Sequence, residues 1–127
     1  MATRRKDFEP PLALEEWGWK YHHMDIPTTE KRADERYIPH LKFYVSGFPT
    51  SPYGVEWMRF DADCPLPEII QRVPHIAFEV EDLEEALKQG DFDVITPPNP
   101  PSEGVKVAMI EHNGAPVELI EFRDAEI

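Results

Sequence analysis

The chain has 127 residues, one domain's worth, with 13 Lys and Arg against 25 Asp and Glu and a formal net charge of −12. That balance argues against a nucleic-acid backbone, whose counterions Lys and Arg must replace, and against an anionic membrane surface. Apolar residues at 41% with 30% charged residues fit a globular domain able to bury a core without disulfides. Cys64 is alone, so no bridge forms within the chain, and no apolar run approaches the roughly 18 residues of a membrane helix. The basic start Arg4-Arg5-Lys6 leads into Asp7 and Glu9 rather than an apolar stretch, unlike a signal peptide. A cytoplasmic protein in a reducing compartment is expected. Fourteen prolines predict few and short helices.

Residues 1–17 are charged and aperiodic and read as an N-terminal arm, its end pinned by Trp17 and Trp19. Residues 18–27 read as a strand stopped by Pro27. Residues 28–36, TTEKRADER, offer about two helical turns capped by Thr28 or Thr29. Strands follow at 41–48 and 55–60, separated by the turn cluster 49–54. Residues 61–74, with three prolines, read as a linker. Beyond it, 75–80 is a strand, and Asp82 with Glu85 forms a capping box for a helix ended by Gly90. Its apolar stripe is Leu83, Ala86 and Leu87. A strand starting at Phe92 runs into the prolines at 97–101. Residues 105–111 and 116–122 are strands joined by Asn113-Gly114, a strong hairpin signal.

The first half looks like a worn copy of the second. Each opens on a strand carrying a histidine, His23 or His75, and each closes on Val-Glu followed by apolar residues, at Glu56 and Glu118. The separations are 33 and 43 positions (56 less 23, 118 less 75), and the difference is about the length of the helix the first half lacks or shortens. An approximate tandem duplication accounts for this. Two-residue alternation puts Glu56 on a face with Met58 and Phe60, and Glu118 on a face with Ile120 and Phe122. A carboxylate on such a face costs several kcal/mol unless paired or bound to a metal. Two imidazoles and two carboxylates suit one divalent ion, Zn, Ni, Co, Mn or Fe.

The stretches PHIAFEVEDLEEAL and VKVAMIEHNGAPVELIEF, with HHMDIP and YGVEWMRF before them, resemble the vicinal oxygen chelate superfamily. That superfamily includes glyoxalase I, methylmalonyl-CoA epimerase, extradiol dioxygenases and the fosfomycin- and bleomycin-resistance proteins. The resemblance covers about residues 18–123, a single glyoxalase-like domain. Module 1 is about 18–62, the linker about 63–73 and module 2 about 74–123, with 124–127 a C-terminal tail. It implies an α+β fold of two tandem βαβββ modules curling a sheet around a shared cleft, the first with a reduced helix. It also implies a metal set of His23, Glu56, His75 and Glu118, with Glu118 the first choice of catalytic base and Glu56 the second. The chemistry implied is proton transfer on a small α-hydroxycarbonyl or 2-oxo compound by a lyase or isomerase. A non-catalytic binding protein of the bleomycin-resistance kind is the alternative, followed by an iron dioxygenase using His23, His75 and Glu118. A small-molecule substrate and a homodimer are expected, the site closing within one chain or between two.

Several residues carry a plainer reading. Alternation allows His22 rather than His23 to face the cleft, and Glu121 rather than Glu118. Glu56 has Arg59 and Arg36 as potential ion-pair partners. His112 and His40 fall in turns, and Cys64 has no basic partner to activate it. Eleven of 14 aromatics lie in residues 1–60. They serve either as core or as a wall over the cleft, for which Tyr37, Tyr44, Tyr53 and Trp57 are candidates. Nucleotide-binding, zinc-ribbon and serine-hydrolase motifs are absent from the sequence.

Overall fold

Eight strands make one mixed sheet in the order β2-β3-β4-β1-β5-β8-β7-β6. The computed structural model describes residues 5–101 and 103–123, so the tail at 124–127 and the first four residues of the arm lie outside it. The strands are β1 Lys20–Pro27, β2 Arg36–Ile38, β3 Phe43–Ser46, β4 Val55–Phe60, β5 His75–Glu79, β6 Asp93–Asn99, β7 Val105–His112 and β8 Ala115–Phe122. Each half pairs its first strand parallel with its last, β1 with β4 and β5 with β8. The remaining neighbours within each half are antiparallel, and β1 meets β5 antiparallel at the centre. This is a mostly-β α+β fold, a curled half-barrel sheet with short helices, consistent with paired βαβββ modules.

The hairpin signal is realised: Asn113 and Gly114 both have positive φ, 50° and 84°, as a two-residue turn between β7 and β8 requires. Helix α3 (Leu83–Ala86) starts where Asp82 accepts a bond from the Glu85 amide at 3.1 Å. Residues 28–35 form no helix; TTEKRADE has only Ala33 as an apolar side chain, too little to hold a helix against a sheet. The chain there turns instead into β2, a three-residue strand the sequence did not signal. The expected linker contains helix α2 (Glu68–Arg72), anchored by Ile70, which is 2% exposed. The arm contains helix α1 (Leu12–Glu15). Trp17 and Trp19 do pin it: their rings stand 4.9 Å apart, and Trp19 is buried and donates to Gln89 Oε1.

Alternation sorts the sheet into two faces with different cores. The outer core joins Trp19, Phe78, Ala108 and Leu119 of the sheet region to Leu83 and Ala86 of α3. The inner core belongs to the first half and joins Ile38, Phe43, Val45 and Met58, with Leu66 against them. None of the described helices is long and apolar enough to cross a membrane.

Candidate functional site

The cross-strand register brings the polar residues of the inner face together. Asp25 on β1 stands between Glu56 on β4 and His75 on β5. One pleat along, His23 is opposite Ala77, and Ala77 is opposite Glu118 on β8. Ala77 is fully buried and ends at Cβ, so the His23 and Glu118 side chains lean across it. All four residues implied by the resemblance are therefore neighbours. They come two from each half of the sheet.

His75 Nε2 lies 2.9 Å from Glu118 Oε1 and 2.6 Å from Asp25 Oδ2. His23 Nε2 lies 2.9 Å from the same Asp25 oxygen, 3.7 Å from Glu118 Oε1 and 3.8 Å from Glu56 Oε1. Glu121 faces the other way and accepts from the Leu83 amide, and Arg59 pairs with Glu35 rather than Glu56. Asp25 is the member the sequence reading missed. It is 2% exposed and touches both imidazoles, and its spacing of two from His23 was the available signal.

The choice between His22 and His23 dissolves because both rings face the cleft. A β-bulge sets Tyr21 opposite Phe78 and His23 opposite Ala77, leaving His22 as the extra residue. Gly54, at φ +75°, makes room for the bulge; a Cβ there would stand 2.9 Å from the His22 carbonyl oxygen. The His22 ring stacks on Phe48 at 5.1 Å, and its Nδ1 is 2.7 Å from His23 Nδ1. His23 reaches the cluster; His22 backs it.

The carboxylates set the protonation of the cluster. Burial would lower both imidazoles, but bonds to Asp25 and Glu118 win, raising His23 to about 11 and His75 to about 9. Burial raises Asp25, yet the two imidazoles hold it well below the usual carboxylate range. Burial, then the Asp25 charge, push Glu56 up to about 8. Burial, then the His23 charge, lower His22, which makes it the neutral acceptor for the His23 Nδ1–H.

The donor set fits a metal ion. Donors about 2.1 Å from one ion stand roughly 3.0 Å apart when adjacent and 4.2 Å when opposite. The contacts of 2.9 to 3.8 Å match or approach that range, and His75 Nε2 and Asp25 Oδ2, at 2.6 Å, stand closer, as a hydrogen-bonded pair. Within the cluster, His23, Asp25 and Glu118 offer one atom each, all within 4.8 Å of one another. Asp25 Oδ1 and His75 Nδ1 are buried without a partner, so one carboxylate oxygen is left over for a ligand.

The cluster opens into a cavity of about 260 Å³. Its aromatic side is Phe43, Phe48 and Phe122. Of the aromatic residues that were candidates for that wall or for the core, Tyr37 and Tyr53 are exposed, Tyr37 and Tyr44 pair across strands, and Trp57 alternates with Glu56 onto the outer face, under Arg32. His112, beside the hairpin turn, is exposed as its position suggested; His40 is exposed too and is not among the residues lining the cavity. Cys64 is half-buried and burial pushes its thiol up, the opposite of activation.

No protein-family model and no curated protein matches the sequence. Among solved structures the chain is similar to a hypothetical protein from Bacillus halodurans C-125, at 19% identity and a TM-score of 0.66. That match covers 86% of this chain and 98% of the other. At that identity the likeness is one of fold.

Proposed function

We propose that the chain is a metal-dependent enzyme of the vicinal oxygen chelate superfamily, a glyoxalase-like lyase or isomerase that moves a proton within a small α-hydroxycarbonyl or 2-oxo compound. One observation carries the reading: His23, Asp25 and Glu56 from the first half meet His75 and Glu118 from the second at one buried point. His23, His75, Glu118 and Glu56 would hold one divalent ion, with Asp25 available beside them. A bound ion would draw negative charge onto a carbonyl and its neighbouring oxygen and so acidify the C–H between them.

The chain's own part is to handle that proton. Glu118 and Glu56 belong to opposite halves and both line the cavity. Glu118 takes the proton from carbon, and Glu56 returns one to the neighbouring carbon or the opposite face. Glu56 suits the return step because its approach to His23 is a loose 3.8 Å and its side chain is the more exposed of the two, 19% against 12%. The apolar walls keep water from the carbanion-like charge. A homodimer is part of the same proposal, and sedimentation velocity tests it.

Metal analysis and calorimetric titration of the purified protein test the reading. About one divalent ion per chain is expected, lost in His75→Ala and Glu118→Ala. Glu56→Gln should keep most of the metal and the Glu118-driven solvent-deuterium exchange at an α-hydroxyketone C–H, while slowing product formation by roughly 10²–10⁴-fold. If neither analysis nor titration finds an ion, the enzyme reading goes. A ligand-sequestering protein of the same fold is the second reading. It is favoured by Asp25 Oδ2, whose bonds to both imidazoles close the cluster without an ion.

A further inference from the structure

We propose that the cavity takes a monoanionic ligand with an apolar body, whose carboxylate is held by Arg36 at the outer edge of the first half. The inference rests on the cavity being the substrate site and names the class of molecule it admits.

Arg36 is placed for this by strand alternation. It pairs with Val45 and lies two residues from Ile38, both inner-core residues, so its side chain belongs to the inner face and lines the cavity. It is the only Lys or Arg among the described lining residues. The nearest acid in sequence, Glu35, falls on the other face and is held in a fork by Arg59 Nε and Nη2, both at 2.7 Å. Among the described residues Arg36 has no ion-pair partner. Arg36 is exposed on the edge strand, so its guanidinium stands at the rim of the apolar wall, free to take a carboxylate in a bidentate fork.

The rest of the cavity sets the other half of the ligand. Strands β3 and β4 lie between Arg36 and the cluster strand β1, and they contribute Phe43, Val45 and Met58 to the wall. Three strand spacings separate β2 from β1, about 14 Å along the sheet. A molecule reaching from the cluster to Arg36 must therefore cross an apolar floor. Charge fixes its direction. The imidazoles and carboxylates of the cluster satisfy one another, with Asp25 Oδ2 bonded by both histidines and Glu118 by His75, so the Arg36 end is the one open to a free carboxylate. With one guanidinium in the described lining, a single negative charge is matched and a polyanion is not.

Octanoate and octanamide form a probe pair alike in size that differ in charge. Their binding to the EDTA-stripped full chain, followed by calorimetry, removes any ion that could hold a carboxylate at the cluster, and the Arg36 variants separate the Arg36 end from the histidines that remain there. Octanoate is expected to bind at least about tenfold more tightly. Arg36→Gln should erase that preference while leaving octanamide affinity and divalent-ion titration unchanged. Arg36→Lys, which keeps the charge without the fork, should retain part of it and serves if the glutamine variant does not fold. Equal affinities for the two probes, binding of neither, or a preference that survives Arg36→Gln overturns the proposal. The two readings fail separately. An Arg36-dependent preference in a protein that takes up no metal removes the metal enzyme and keeps the anion site. One metal ion per chain with no preference does the reverse.

Discussion

The two halves of the sheet share a strand plan but put their apolar mass on opposite faces. In the second half, α3 covers the outer face and buries Leu83 and Ala86 against Phe78, Ala108 and Leu119. In the first half no described helix crosses between β1 and β2. Its outer face carries Tyr37, Tyr44 and Arg59, with the Arg59 guanidinium 4.1 Å over the Tyr44 ring and paired with Glu35. Its apolar residues face inward instead, where Ile70 of α2 joins the wall that Ile38, Phe43 and Met58 form. A half without a helix on its outer face can thus keep a core. That core lies on the inner face, and the cavity beside the polar cluster is apolar as a result.

The sharpest way to break this comparison is to remove apolar volume from the covered face. Leu83 is fully buried under α3, so Leu83→Ala should cost about 2–5 kcal/mol in urea unfolding. Metal binding should persist at denaturant concentrations that leave the protein folded, because the cluster lies on the other face. A cost below about 1 kcal/mol would mean that α3 does not hold the second half together. The next test acts where the halves meet. Ala77→Leu drives a branched side chain between His23 and Glu118, which now approach to 3.7 Å across it. Overpacking of this kind costs about 1–3 kcal/mol. The larger readout is metal affinity, which should fall by more than about tenfold, the range seen when ligand orientation is lost. Unchanged affinity would show that the two halves do not share one site.

The pH dependence sharpens the same point, since each half contributes a histidine. The carboxylates of the cluster outweigh burial and raise His75 to about 9 and His23 to about 11. Values raised on folding give stability that is fully present below the unfolded value of 6.5 and is lost as pH climbs through 9 and then 11. Burial and the Asp25 charge raise Glu56 from 4.5 to about 8, so its contribution is likewise lost as pH rises through 8. Asp25 is lowered on folding, and its contribution is lost only as pH falls through the acid range. The metal-free Tm should therefore decline between about pH 5 and 9. Ligation needs these groups deprotonated, so the Tm gain on adding Zn should grow over the same interval. Thermal melts with and without the ion check this; parallel profiles would detach the metal from the cluster.

Much of the fold was legible because it rests on local chemistry. Asn113-Gly114 admits the positive φ angles of a tight hairpin, and Asp82 has a carboxylate one turn from an open amide. Glu56 and Glu118 were legible because each sits on an apolar row. Asp25 was not, since an acid two residues before Pro27 reads as the polar end of a strand. Its spacing of two from His23 put it on the same face, and the register with Glu56 and His75 makes it the centre of the cluster. The bulge at His22 was hidden for a similar reason: alternation assumes an unbroken pleat, and Gly54, distant in sequence, permits the break. Helix α2 was masked by its flanking prolines, and β2 is too short for a period to show.

The smallest effect is expected on the uncovered outer face, and its form matters more than its size. Glu35 has a largely buried side chain, 7% exposed, and its two oxygens are held by Arg59. Arg59 holds Glu35 below the ordinary carboxylate range, chiefly through those bonds. Arg59→Met keeps the stem that covers Tyr44 but strands that carboxylate, whereas Arg59→Met with Glu35→Gln removes the charge as well. The single variant should melt lower than the double variant, and both should lie above Leu83→Ala. Reversal of the first order would make the ion pair dispensable to Glu35. Reversal of the second would place the stability of the first half on its outer surface and so undo the contrast with the helix-covered half.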